Sequence, residues 1–355
     1  MTNYCKISLK KLRGQQVREG YHNAAFKNVF GSTKVNPCLP FSRAEFFQSS
    51  RQHIQGMSIS GVQQKLSLKE SEQHALIAVA EGGEYILKPS PESYPYAAEN
   101  EHAAMQVSQL LGIDTARCGL VSFDGGELAY ITKRFDRGDG GAKLHQEDLV
   151  QCFDLPSDDK YSLTYEEAGK RIQEVTGGKQ AAVLDFVRRV MLAYMMGNDD
   201  LHLKNFSIQR LAGNTGHHYD KLTPNYDCLF CDAFKTAAEE TTGMGLLALG
   251  LLRDQDGDGL FDEKSDEAVD KESDEYFSER FTYYGYYTGY DFLELGRRLS
   301  LPEKPVRGFI NKLNSHQKKI TDLIAHSFMP EAMKVSATAT VNVRIKALQV
   351  TDESL

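Results

Sequence analysis

"MMGNDDLHLKNFSI", Met195 to Ile208, closes an apolar run with a glycine, continues as a short polar loop and reopens as a strand-like segment. Ahead of it, Val183, Leu184, Phe186, Val187, Val190, Met191 and Tyr194 form a broad apolar face at helical spacing, which predicts a helix over 181–197. Inside the loop an aspartate is followed five residues later by an asparagine. That spacing suits phosphoryl transfer: the aspartate orients an attacking hydroxyl and accepts its proton, and the asparagine turns back to hold a magnesium ion. Asp200 and Asn205 occupy those two places.

The same chemistry asks for two more parts, and both stand in the expected order. A second carboxylate should follow on the next strand, and "LTPNYDCLF" supplies Asp227. A strand lysine should lie upstream to neutralise phosphates, and Lys88 ends the apolar strand in "YILKPS". Magnesium keeps several waters and takes few protein ligands, so Asn205 and Asp227 would suffice for it. Taken singly, each residue has a plainer reading. A loop aspartate is most often a cap or turn former, and a lysine at a strand end is most often a solvated charge. The order along the chain, the placement on elements and the loop spacing carry the inference together.

A chain of 355 residues with 41% hydrophobic content can hold two domains with real cores. No apolar run has the length of a membrane span, and the basic N-terminus has no apolar stretch behind it, so a cytoplasmic protein is expected. The six cysteines are scattered and are expected to be reduced. The net charge of -8 is unevenly spread: residues 254–279 hold twelve Asp and Glu against two Lys, leaving about +2 elsewhere.

Along the chain, residues 1–55 are weakly patterned. Short strands are expected at 65–68, 75–80 and 84–88, a helix over "ENEHAAMQVSQLLG", and a hairpin over "CGLVSFDGGELAYITKRF" turning at Gly125-Gly126. Beyond residue 141 helices are expected at 164–176, 181–197, 290–300 and 303–327. The tail "VSATATVNVRIKAL" alternates like a strand, whereas its position after a helical run favours a helix. The expectation is an α+β fold in two lobes. Residues 1–140 form a small α/β lobe with a Ser/Gly-rich loop at 56–65 and the lysine strand. Residues 141–355 form a larger, mostly helical lobe with a catalytic loop at 198–205, Asp227 and an acidic insertion at 254–279.

In "GMSISGVQQKLSL", Gly56 and Gly61 let the backbone around Ser58–Ser60 turn tightly and present amides to phosphates. The plainer reading is that the serines merely satisfy the turn.

These segments resemble the HipA-type serine/threonine kinases, the toxin halves of bacterial toxin–antitoxin systems. The resemblance runs through "SISGVQQKLSL", "YILKPSP", "ENEHAAM", "ITKRFDR", "HQEDLVQ", "GNDDLHLKNFSI" and "LTPNYDCL", spanning residues 56–230. It implies a protein-kinase-like fold, ATP with Mg2+, and phosphorylation of an aminoacyl-tRNA synthetase that shuts down translation. By the same resemblance Asp200 is the catalytic base, with His202 supporting the loop, and Asn205 and Asp227 are metal ligands. Ile59, Ser60, Gly61, Lys65 and Lys88 contact the nucleotide, and the backbone from Lys133 to Phe135 meets adenine. Lys133 departs from the family, which often has Glu there. A serine of the loop is an autophosphorylation site in the family; Ser58 aligns with it and Ser60 is an additional one. Only 55 residues precede Gly56, where full-length HipA proteins carry a further N-terminal subdomain. The paired serines and the short front resemble the HipT branch, which implies a HipB-like DNA-binding antitoxin, a separate small HipS-like antitoxin and tryptophanyl-tRNA synthetase as target.

Other motifs are decoys. "DQDGDGLFDEKS" spaces its acids like a calcium loop, yet position twelve is Ser265 where a bidentate glutamate is needed. Calcium titration is therefore expected to give no saturable heat at micromolar concentration, and a micromolar site would contradict the reading of a solvated acidic insertion. "CLFC" has metal or redox spacing but no second pair, so its cysteines read as small core residues. Two function classes remain: an active kinase, supported by Lys88, Asp200, Asn205 and Asp227, and a nucleotide-binding pseudokinase acting as co-repressor through a DNA-binding antitoxin. Direct nucleic-acid binding is disfavoured, because no basic cluster with interleaved aromatics occurs.

Overall fold

The lysine strand, Tyr85–Pro89, lies at the centre of a five-stranded antiparallel sheet. The order is Leu76–Ala78, Leu66–Glu70, Tyr85–Pro89, Leu128–Lys133 and Cys118–Ser122. The computed structural model describes residues 3–13, 16–18, 20–52, 64–138, 141–235, 247–253 and 275–352. Ser58, Ile59, Ser60 and Gly61 of the serine loop, and residues 254–274 of the acidic insertion, lie outside the described residues.

Side chains alternate across the pleat, so Tyr85 and Leu87 face one side of the sheet and Lys88 the other. Tyr85 and Leu87 enter a core with Leu68, Val121 and Ile131 from other strands of the sheet and Phe123 just past its edge strand. Cys5, Ile7, Phe26, Val29, Phe30 and Phe46 from the first 55 residues complete that core. The weakly patterned front of the chain is therefore a structural layer, with helices Asn23–Phe30 and Arg43–Gln52. On the lysine side lies the helix Ala97–Leu110, whose residues from Ala97 to Ser108 are all buried.

The hairpin forms as expected, Ser122 pairing with Leu128 across a turn in which Gly126 adopts φ +90°. The expected helices are present as Tyr165–Val175, Gln180–Met196, Gly289–Arg298 and Glu303–His326. The ambiguous tail is a helix, Glu331–Leu348. Its buried residues Met333, Ala337, Val341, Ile345 and Leu348 recur at three and four, while Val335 and Val343 are exposed. Those two solvent-facing valines produced the alternation.

The chain divides into two units. The first comprises Met1–His145, Thr223–Thr236 and His316–Val341, and the second comprises Gln146–Leu222, Ala237–Ser315 and Asn342–Leu355. Asp227 thus groups with the lysine strand, and Asp200 belongs to the other unit. In the second unit Gln180–Met196 buries Val183, Phe186, Val187, Val190 and Met191 completely. It stops at Gly197, which takes the left-handed φ of +66° that glycine reaches at no steric cost. Ser207–Gln209 then pairs with Lys221–Leu222 on one side and Gln146–Asp148 on the other. Among the described residues, no helix is long and apolar enough to cross a membrane.

Candidate active site

In the first unit, Lys88 is almost fully buried and makes two short ion pairs. Its Nζ lies 2.7 Å from Glu101 Oε1 and 2.8 Å from Asp227 Oδ1. Burial alone would lower the ammonium's pKa, but the carboxylates of Asp227 and Glu101 outweigh it and hold Lys88 protonated, above its ordinary range. Lys65 Nζ stands 3.9 Å from the other Asp227 oxygen. Glu101 Oε2 is buried and has no hydrogen-bond partner among the described residues. The cluster therefore presents two cations to one partly exposed carboxylate.

Asp227 is held by its flanks. Asn225 donates through its amide to Asp114 O at 2.7 Å and through Nδ2 to Ser108 Oγ at 3.0 Å. Three residues past the aspartate, the Phe230 amide donates to Asn100 Oδ1 at 2.7 Å, and Asn100 Nδ2 donates back to Phe230 O at 3.1 Å. Both Ser108 and Asn100 belong to the helix that carries Glu101, so one element places both acids. Asp227 itself has φ +57°, a left-handed conformation that aspartate tolerates better than most side chains.

The segment from Lys133 to Phe135 follows the strand next to the lysine. The Lys133 amide donates to Arg117 O and the Arg134 amide to Glu84 O, each at 2.8 Å. Any hydrogen bond from this segment to an adenine falls to groups other than those two amides. The Phe135 ring stands 5.5 Å from Tyr226, next to Asp227 in the chain.

In the second unit, the loop 198–205 alternates buried anchors with polar residues. Leu201 and Leu203 are buried, the Tyr165 hydroxyl donates to Leu201 O at 2.8 Å, and Phe206 packs against Phe186 with ring centroids 4.8 Å apart. This fixed backbone leaves the Asp200 side chain half exposed. Asn205 is buried and its Nδ2 donates to Asp200 O at 2.8 Å, a contact that ties the two ends of the loop together. The donation leaves the amide oxygen of Asn205 as a hard donor. His202 Nε2 lies 3.8 Å from Asp200 Oδ1, beyond hydrogen-bond reach, and its ring meets Tyr161 edge-on.

Lys65, Lys88 and Asp227 are thus brought together in one unit, and Asp200, His202 and Asn205 in the other. Sequence reading passed over Glu101 although it stands in the quoted "ENEHAAM", and it passed over Tyr161. The signal for Glu101 was an acid inside a helix with no polar face. Cys228 is buried beside Asp227, and His217 and His218 are exposed. No group of three or more His, Cys, Asp or Glu placed to hold a metal ion occurs among the described residues.

A mixed helix-and-sheet fold in which a buried strand lysine pairs with a helix glutamate is the arrangement of a kinase-like class of protein. The chain belongs to the HipA-like C-terminal domain family, whose model matches residues 57–313. A Haemophilus influenzae relative named "Putative kinase" is 34% identical over 363 residues, covering 99% of each chain. A Sinorhizobium fredii relative, "Putative kinase Y4dM", is 33% identical over 223 residues, covering 57% of this chain and 53% of its own. Among solved structures, HipA of Shewanella oneidensis, determined with HipB and its operator DNA, matches with a TM-score of 0.62 at 19% identity, covering 89% of this chain and 74% of that one. The fold is that of HipA.

Proposed function

We propose that the chain is an ATP-dependent serine/threonine protein kinase acting as the toxin of a toxin–antitoxin system. Its target would be an aminoacyl-tRNA synthetase, with tryptophanyl-tRNA synthetase favoured, and the consequence would be arrested translation. One observation carries the reading. The buried Lys88 is held by both Glu101 and Asp227, an arrangement that packing alone does not require and that phosphoryl transfer does.

Each unit carries residues whose chemistry suits a nucleotide and its metal. Asp227 and Asn205 offer oxygen donors of the kind magnesium prefers, and Lys65 and Lys88 supply cations for phosphates. When bound, ATP and Mg2+ supply the phosphoryl group and neutralise its charge. Lys88 orients the phosphates while Glu101 keeps its ammonium in place. Asp200 accepts the proton of the acceptor hydroxyl, and Asn205 fixes the loop through the Asp200 carbonyl. The full set of charged parts disfavours the pseudokinase alternative. The HipB complex of the Shewanella relative supports a HipB-like antitoxin as partner, with DNA reached only through it. A separate HipS-like antitoxin is proposed on the HipT resemblance alone.

Ser58 and Ser60 are proposed autophosphorylation sites. Each phosphate adds about -1.5 to -2 charge, which would repel the phosphates of ATP from the loop. Peptide mass spectrometry of the expressed chain is expected to find both serines modified, and neither modified in Asp200→Asn. The Ser58→Asp, Ser60→Asp double variant is expected to be far less toxic than wild type. Both serines bare in an active enzyme after incubation with ATP would make them turn residues only.

A further inference from the structure

We propose that Tyr161 is a positioning residue for the Asp200 base, a reading that rests on the kinase function above. The Tyr161 hydroxyl donates to Asp200 Oδ1 at 2.7 Å, the most frequent distance for an O–H···O bond. Its ring meets the His202 ring edge-on, with centroids 5.1 Å apart and planes at 81°. One side chain therefore touches both Asp200 and His202.

Burial does not explain a tyrosine here. Tyr161 is 47% exposed, and the Asp200 side chain is 53% exposed. The turn that carries it is nevertheless tied to the loop at two further points. The Leu203 amide donates to Lys160 O at 3.2 Å, and Lys204 Nζ donates to Ser157 Oγ at 2.6 Å. Four residues on, the buried Tyr165 grips the loop backbone at Leu201 O. Tyr165 thus fixes the backbone, and Tyr161 fixes the carboxylate.

A half-exposed carboxylate rotates freely unless something holds it, and freedom at the base costs rate. Tyr161 holds Oδ1 and leaves Oδ2 to the incoming hydroxyl. In the transfer, the acceptor proton passes to Asp200 Oδ2 and the acceptor oxygen bonds to the γ-phosphorus. The bond from that phosphorus to the bridging oxygen breaks, and its electron pair leaves with ADP. Tyr161 keeps its own proton throughout.

The decisive variant is Tyr161→Phe, which keeps the ring on His202 and removes only the hydroxyl. With dephosphorylated casein as acceptor and tryptophanyl-tRNA synthetase as a second, kcat is expected to fall about ten- to a hundredfold, the cost of a misplaced base. KM for MgATP should stay within about twofold, because uniform nucleotide binding is untouched. Tyr161→Phe added to Asp200→Asn should cost nothing more. An unchanged kcat in Tyr161→Phe, while Asp200→Asn is inactive, would overturn the positioning role and leave the base assignment standing. A raised kcat would also overturn it, since the hydroxyl would then be obstructing the base. Wild-type transfer by Asp200→Asn would remove the base assignment itself, which separates that failure from this one.

Discussion

Asp200→Asn is expected to lower phosphoryl transfer by ~10²–10⁴-fold, the usual cost of losing a positioned base, while the protein melts as the wild type does. The side chain is half exposed, and its carboxylate takes part in no core packing. Asparagine keeps the size and can still accept from Tyr161, so the loop should hold its shape. What disappears is the proton acceptor. Initial rates of label transfer from ATP, alongside a thermal melt, check both halves of the statement. Asp227→Asn should behave differently, weakening magnesium-dependent nucleotide binding itself, because that carboxylate also faces Lys88 and Lys65. A wild-type rate in Asp200→Asn would remove the base assignment.

Lys88→Met should abolish transfer and also destabilise the fold, which sets it apart from Asp200→Asn. Glu101 is about 1% exposed, so removing its cation leaves a buried carboxylate uncompensated, a change that typically costs about 3–5 kcal/mol. Adding Glu101→Gln to Lys88→Met removes the stranded charge. The double variant should recover most of the lost stability and none of the activity. Denaturant titration separates the two effects, provided the slopes stay alike. If Lys88→Met were as stable as wild type, the buried ion pair with Glu101 would contribute nothing to the fold. If the double variant transferred phosphate, Lys88 would have no part in the reaction.

The parts of the site that were legible in the sequence are those fixed by local geometry. Gly197 ends a helix, and Asp200 and Asn205 stand five apart in one loop; that the Asn205 amide also bonds the Asp200 carbonyl is seen only in the structure. Lys88 was legible from its place at the end of an apolar strand, but its partner was not. The helix carrying Glu101 is buried on all sides from Ala97 to Ser108, so helical periodicity marks no polar face there. Pairing Lys88 with Asp227 joins residues far apart in sequence, which no windowed pattern can register. Tyr161 was obscured in the same way, reaching Asp200 across 39 positions.

The fold shows a matching division. Strands and helices with clean periods were legible, whereas the first 55 residues conceal a core layer because short segments each contribute only one to three buried side chains. The terminal helix was ambiguous because Val335 and Val343 face solvent. The grouping of Thr223–Thr236 with the lysine unit follows from its bonds to the Glu101 helix, a tertiary fact with no sequence signature.

The most direct test of the central claim is transfer of label from γ-labelled ATP, with magnesium, to a panel of purified aminoacyl-tRNA synthetases. The chain should place phosphoserine on one of them, tryptophanyl-tRNA synthetase foremost, and inhibit its aminoacylation, with no label in the Asp200→Asn reaction. Tight magnesium-dependent ATP binding without label on any synthetase or on the chain itself would contradict the account and leave a nucleotide-binding co-repressor in its place.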